Sequence, residues 1–276
     1  MKEDSGLEKL EQIVDLLLLN GTIVENIGLI HGKTGIAIFF FHYADLSKNE
    51  LFEDYAMDLI SEIKKQIHVS SPAYYEDGVA GIGVGFDYLL RRKFLQVGEH
   101  FFEDFDKRMY RAVMYDPWQD FSLYDGLSGY GKYWLMRLQQ SLSNIQAREC
   151  LLHVVSLIKE RKNDIPIHEQ SDTYCFLHDL HQMQGFQIDN ELFEMFLPPT
   201  MDVSHCFPRL GDSEIGNATR TYQHAHYILS EDMRQVPNFD MAKPTAGIGF
   251  LNGFVGEGMM LLSVLESQNM SWMHLL

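Results

Sequence analysis

One glycine motif returns along this chain at steps of about 46 and 48 residues, and few architectures accommodate such a period. It opens as Gly32-Lys33-Thr34-Gly35-Ile36-Ala37. It returns as Gly78-Val79-Ala80-Gly81-Ile82-Gly83, Gly126-Leu127-Ser128-Gly129-Tyr130-Gly131 and Gly253-Phe254-Val255-Gly256-Glu257-Gly258. Self-similarity in this range marks a repeat fold with one supersecondary unit per period. The interval from the third copy to the last leaves room for two further units. An eroded copy stands at Gly211-Asp212-Ser213-Glu214-Ile215-Gly216, and the other is expected near 170–185, where Asp172 to Gly185 holds no glycine pair. About six units result.

Helix fills each unit. Every glycine pair precedes an apolar stretch, such as Ile36 to Tyr43 or Tyr133 to Leu138. Between the motifs lie second stretches whose apolar residues recur every three or four positions: Phe52, Ala56, Leu59, Ile60, Ile63 and Ile67 in one,. Phe94 to Val113 and Cys150 to Ile158 repeat that pattern. The expected unit is a helical hairpin: a polar-faced helix, a glycine loop, then a more apolar helix. The glycines are expected to give the loop positive φ and to let helices approach closely. Stacked hairpins form an open solenoid or a closed ring, and the period alone does not choose between them.

Composition places few further limits. Hydrophobic residues make up 46% of 276, enough for a large core, and no Pro/Gly/Ser-rich linker divides the chain. Residues 1–276 are therefore expected to form a single all-α domain. The run Leu16 to Leu19 is too short for a signal peptide or a membrane span. Three cysteines make no disulfide framework, so a cytoplasmic protein without membrane insertion is expected,. With 39 acidic and 22 basic residues the net charge is −17, which argues against nucleic acid as a partner. Arg91-Arg92-Lys93 and Lys64-Lys65 read as solvated helix ends,. An acidic body suits cationic peptides or sugars, and it also serves solubility.

Gly28 to Ala37, Asp77 to Gly83 and Tyr124 to Gly131 resemble the repeats of the lanthionine synthetase C-like proteins. The likeness covers 26–138, returns at 247–265 and is weak between. It implies an α/α toroid, an inner ring of helices inside an outer one. Family members that are active are zinc enzymes, adding a peptide cysteine thiol across a dehydroalanine or dehydrobutyrine. Zinc suits that step because it holds the thiol as thiolate at neutral pH. The partner implied is a precursor peptide or a peptide-modifying enzyme.

The chain departs from the family where the chemistry lies. The Trp-Cys-x-Gly motif aligns to Pro208-Arg209-Leu210-Gly211, which puts Arg209 in a thiolate's place. No Cys-His-Gly occurs, and the corresponding residues are Leu251-Asn252-Gly253. The family's acid aligns to Ser122, with Asp120 and Asp125 out of phase. Catalytic residues are thus not assigned, and no cofactor is expected unless zinc finds a substitute site. Cys175 and His178, with His205 and Cys206 of the next unit, form one candidate set of four,. The competing reading is a half-buried cysteine and surface histidines, His181 among them.

Other residues carry paired readings. His31 precedes a repeat glycine and either binds substrate at the mouth of a ring or hydrogen-bonds its own loop. Asp77 and Asp125 stand in the position of N-caps, and Asp125 is also a candidate substrate contact,. Glu257 either lines a cavity or serves as a helix N-terminal charge. Arg209 could hold a carboxylate where the family holds a cation. His224 and His226 are too close in sequence to share a helix face. Cys150, in an apolar row, reads as core. Tyr74, Tyr75, Tyr130, Tyr133 and Trp134 could line a concave floor, though packing is the default for helix-face aromatics.

Three functions compete. The favoured one is a peptide-binding platform that has lost or remodelled its zinc site and acts in maturation of a ribosomally made peptide. The second is a thioether cyclase with a relocated metal. The third is a carbohydrate-active enzyme, which needs two carboxylates facing each other, one with a raised pKa; Asp77, Asp120, Asp125 and Glu257 are the acids near the motifs.

Overall fold

The computed structural model describes residues 2–68, 70–196, 247–250, 253–265 and 271–276. The eroded motif at 211–216, Arg209, His205, Cys206, His224, His226 and Asn252 lie outside the described residues. Among those described, the chain forms ten α-helices and no strand: α1 (Lys2–Asn20), α2 (Lys33–Ser47), α3 (Glu50–Gln66), α4 (Val79–Arg91), α5 (Glu103–Met114), α6 (Leu127–Gln140), α7 (Ile145–Arg161), α8 (Ile167–His181), α9 (Asn190–Phe196) and α10 (Phe254–Leu265). A short 3-10 helix, Ser271–Leu275, ends the chain. No described helix is long and apolar enough to cross a membrane.

Each glycine motif starts a helix, as its sequence requires: α2, α4, α6 and α10 begin immediately after Gly32, Gly78, Gly126 and Gly253. Within α2 every residue from Lys33 to His42 is buried, and α6 is buried at ten of its fourteen positions. A helix apolar on all sides belongs inside a layer of helices. The helices between them differ. α3 buries only Ala56, Leu59, Ile60 and Ile63, and α5 only Phe105, Met109, Ala112 and Val113. These are single stripes of three-four spacing, the pattern of a helix with one wet face.

Their starts differ as well. Asn49 caps α3 through the Leu51 N–H, and Asn144 caps α7 through the Ala147 N–H, each such cap contributing about 1 kcal/mol. The glycine-led helices use no side-chain cap at Gly32 or Gly126. Asp125 is therefore not an N-cap. The stretch expected to be helical from Phe94 is shorter, because α5 begins at Glu103. Glu103, Asp104 and Asp106 supply the first-turn negative charge that a helix N-terminus favours,.

The chain forms two compact units: one from Met1–His68, Gly85–Gly98 and His224–Leu276, the other from Val69–Val84 and Glu99–Gln223. In the first, α2 packs against α3 and α10, and α10 against α1. The C-terminal turn closes this core: Trp272 stacks on Phe250 at 5.8 Å and donates its indole N–H to Ser263. Buried His42 meets the Tyr88 hydroxyl at 2.7 Å. In the second unit, α6 packs against α5, α7 and α8, and α8 against α9. Asp106 of α5 clamps α6 there, accepting from Tyr133 at 2.6 Å and from both Nε and Nη2 of Arg137. Cys150 is fully buried in α7, as expected.

Candidate functional site

The glycine loops share one hydrogen-bond register. The N–H of the residue after each first glycine bonds the carbonyl seven residues back: Lys33 to Asn26 (2.9 Å), Val79 to Pro72 (2.9 Å), Leu127 to Asp120 (2.9 Å) and Phe254 to Gly247 (2.7 Å). That closure folds the loop onto its own first glycine. A Cβ at Gly32 would lie 2.6 Å from the Asn26 carbonyl oxygen, and at Gly78 or Gly126 it would lie 2.5 Å from that of Pro72 or Asp120. The expectation of positive φ is corrected here. Gly32 has φ −128° and Gly126 φ −111°, both extended, so the absence of a side chain is what these positions demand. The second glycines are equally confined, since a Cβ at Gly129 or Gly256 would collide with the carbonyl oxygen of Leu123 or Phe250.

Neighbouring loops are joined by one repeated bond. The N–H three residues before a first glycine donates to the carbonyl two residues before the next. In the first unit Phe250 donates to Ile30 at 2.7 Å, and in the second Tyr75 donates to Tyr124 at 2.8 Å. The loop before α6 has no such neighbour among the described residues. Its corresponding N–H, that of Leu123, donates instead to Oδ2 of Asp172 on α8 at 2.8 Å. The Phe121 N–H goes to Oε2 of Glu169, also on α8, at 2.7 Å.

Helix α8 is the unit whose glycines could not be found. A Cβ at the third glycine of a motif would strike an aromatic ring of the neighbouring motif's helix: Gly83 meets Tyr133, and Gly258 meets Phe39. Tyr133 stands two residues after the third motif position of its own repeat, as Phe39 stands two after Ala37. Gly131 meets Phe176, which places Tyr174 third, Asp172 second and Glu169 first in the motif. The signal available in sequence was spacing: Glu169 lies 43 residues after Gly126.

These joints place the residue before each first glycine at an equivalent point. Asp125 is exposed, while Asp77 and His31 are half-buried. His31 packs against the loop before α10, where a Cβ on Gly249 would lie 2.8 Å from its Nδ1. In the second unit the loop ends are acidic. Burial first, then the carboxylates of Glu76, Asp120 and Asp77, raises the Asp125 carboxyl above the usual range. Beside it Tyr130 is held well above the ordinary phenol range, by burial foremost, with Tyr74, Asp116 and Asp125 adding and Arg108 opposing. Tyr74 lies edge-on to Trp118 at 5.6 Å, and Trp118 is 47% exposed. Neither Tyr74 as part of a surface nor Trp118 was distinguishable in sequence from packing aromatics.

The remaining candidates do not converge. Glu257 of α10 forms an ion pair with Lys9 of α1, which accounts for its charge without a ligand. Cys175 is buried, and His178 lies 3.8 Å from Asp179 and against the Tyr174 ring. His181 accepts from the Ile188 N–H at 3.5 Å. Among the described residues no three His, Cys, Asp or Glu side chains gather as metal ligands. Tyr75, Tyr133 and Trp134 are core residues. Compared with family models, with characterised proteins and with solved structures, the chain matches none.

Proposed function

We propose that the chain is a lanthionine synthetase C-like protein: a ring of about six helical hairpins that works as a peptide-binding platform in maturation of a ribosomally made peptide. The observation that carries this reading is the pairing of glycine loops, one pair in each unit. One equivalent backbone bond holds the two loops of each pair side by side, Phe250 to Ile30 in the first unit and Tyr75 to Tyr124 in the second, and each loop offers the residue ahead of its first glycine at the same point. Two adjacent equivalent steps suit an extended polymer such as a peptide, since neighbouring residues of the ligand meet neighbouring loops. Alternation of helices buried on all sides with helices buried along one stripe supports the inner and outer layers of a toroid. The test is binding of the precursor-type peptide combined with zinc analysis of untagged protein. Metal-free protein that binds peptide supports the platform. One zinc per chain, lost on Cys175→Ala or Cys206→Ala, would replace it with a cyclase whose metal has moved.

A specific observation favours a second reading. Asp125 is an exposed carboxyl raised by burial first and then by Glu76, Asp120 and Asp77, and glycoside hydrolysis needs one such raised acid paired with a second carboxylate. Release of reducing ends from a polysaccharide, abolished by Asp125→Asn, would establish it.

A further inference from the structure

We propose that the exposed turn carrying Tyr115 and Trp118, with Trp118 seated on Tyr74 and the carboxylates of Asp116, Asp120 and Asp125 close by in the chain, is the docking surface for a cationic peptide segment bearing arginine or lysine. The proposal deepens the peptide-binding reading and rests on it.

This ledge lies wholly within the second unit. Tyr115 is 76% and Trp118 47% exposed, on the turn that follows α5. Exposed apolar surface rimmed by polar groups marks an interaction site. Trp118 is anchored edge-on against Tyr74 at 5.6 Å, and Tyr115 against Tyr110 at 6.1 Å. Both rings are therefore held in place, which limits the ordering cost of binding. The aromatic and acidic halves are joined through the backbone, because the N–H of Tyr75, next to Tyr74, donates to the carbonyl of Tyr124, next to Asp125, at 2.8 Å.

Charge selects the partner. Burial first, and then the neighbouring carboxylates of Glu76, Asp120 and Asp77, raise the Asp125 carboxyl, and the whole chain carries −17. An arginine or lysine head over Trp118 or Tyr115 gains from the ring quadrupole. It also relieves the carboxylate repulsion, which a neutral sugar stacked on the same rings would leave in place. Arg108, the cation that opposes the rise at Tyr130, has its Nε committed to the Ser71 carbonyl at 2.7 Å.

Tryptophan emission reads this surface directly. Of the three tryptophans, Trp134 and Trp272 are fully buried, so Trp118 dominates any ligand-induced change. The full chain is titrated with three twelve-residue peptides of positive, zero and negative charge, and with a neutral hexasaccharide. Only the cationic peptide is expected to shift the emission. By calorimetry, Tyr115→Ala with Trp118→Ala should weaken it about tenfold or more, and Asp116→Asn with Asp125→Asn by a similar factor that shrinks as salt rises. Unchanged melting temperatures would exclude misfolding of the variants. Cationic binding indifferent to all four substitutions overturns the ledge and leaves the peptide-binding reading standing, as does binding confined to the neutral or acidic peptide. A response to the hexasaccharide alone overturns the ledge in favour of a sugar site. No response to any ligand, by emission or calorimetry, overturns both.

Discussion

The joint between the loops before α4 and α6 and the joint between the latter loop and α8 solve one problem with different chemistry. In the first, the Tyr75 N–H meets a backbone carbonyl, that of Tyr124. In the second, the equivalent N–H of Leu123 meets the side-chain carboxylate of Asp172. A buried amide must have a partner, and the repeat has kept the bond while exchanging the group that makes it. Where a loop supplies the carbonyl, its tight closure forces glycine at two positions. Where α8 supplies carboxylates, those two positions carry Glu169 and Asp172. The glycine signature is absent where the carboxylates of Glu169 and Asp172 serve as acceptors.

The comparison is broken most severely at the glycines. Gly129→Ala would drive a Cβ into the Leu123 carbonyl and to within 2.7 Å of the Tyr75 Cβ, and a loss of about 3 kcal/mol or more is expected in urea unfolding. Next comes Glu169→Ala, which leaves the buried Phe121 N–H without its acceptor and should cost about 2 kcal/mol. Glu169→Gln keeps an acceptor oxygen and should cost less than half as much. Asp172→Asn likewise retains an oxygen for Leu123, so about 1 kcal/mol is expected from the lost charge assistance. A cost as large as that of Gly129→Ala would show the two joints to be unlike.

The smallest effect has the opposite sign. Asp125 has a raised pKa in the fold, so the native state binds more protons than the unfolded chain between the ordinary and the raised values. Stability therefore falls as pH rises through that window. Asp125→Asn should stabilise the protein at pH 7 by no more than about 0.5 kcal/mol, the scale of exposed charge interactions. The gain should vanish near pH 3, where the wild-type carboxyl is already protonated.

The hairpin repeat was legible because glycine spacing and three-four periodicity are both linear signals. They correctly placed α2, α3, α4, α6, α7 and α10. Of the two roles expected of the glycines, close approach holds at Gly83, Gly131 and Gly258 and positive φ does not at Gly32 or Gly126, since both demand the same residue and only backbone angles tell them apart. A unit was expected near 170–185, where α8 lies, but its motif could not be read, because an aspartate that replaces a carbonyl looks like any other aspartate until the Leu123 amide is seen beside it. The acids of the loop ends were visible, but their mutual influence was not: Glu76 and Asp77 lie in a different period from Asp120 and Asp125. Trp118 gave no signal at all, because exposure depends on what the turn after α5 leaves uncovered.

Amide hydrogen exchange by NMR tests the substituted joint most directly, with Tyr75 and Phe250 as internal references. In the wild-type protein the Leu123, Phe121, Tyr75 and Phe250 amides should all be protected. Asp172→Ala should lower protection at Leu123 by about a hundredfold while Tyr75 and Phe250 keep theirs. Unchanged protection at Leu123 would contradict the account, because the carboxylate of α8 would then not be what holds the place of the missing loop.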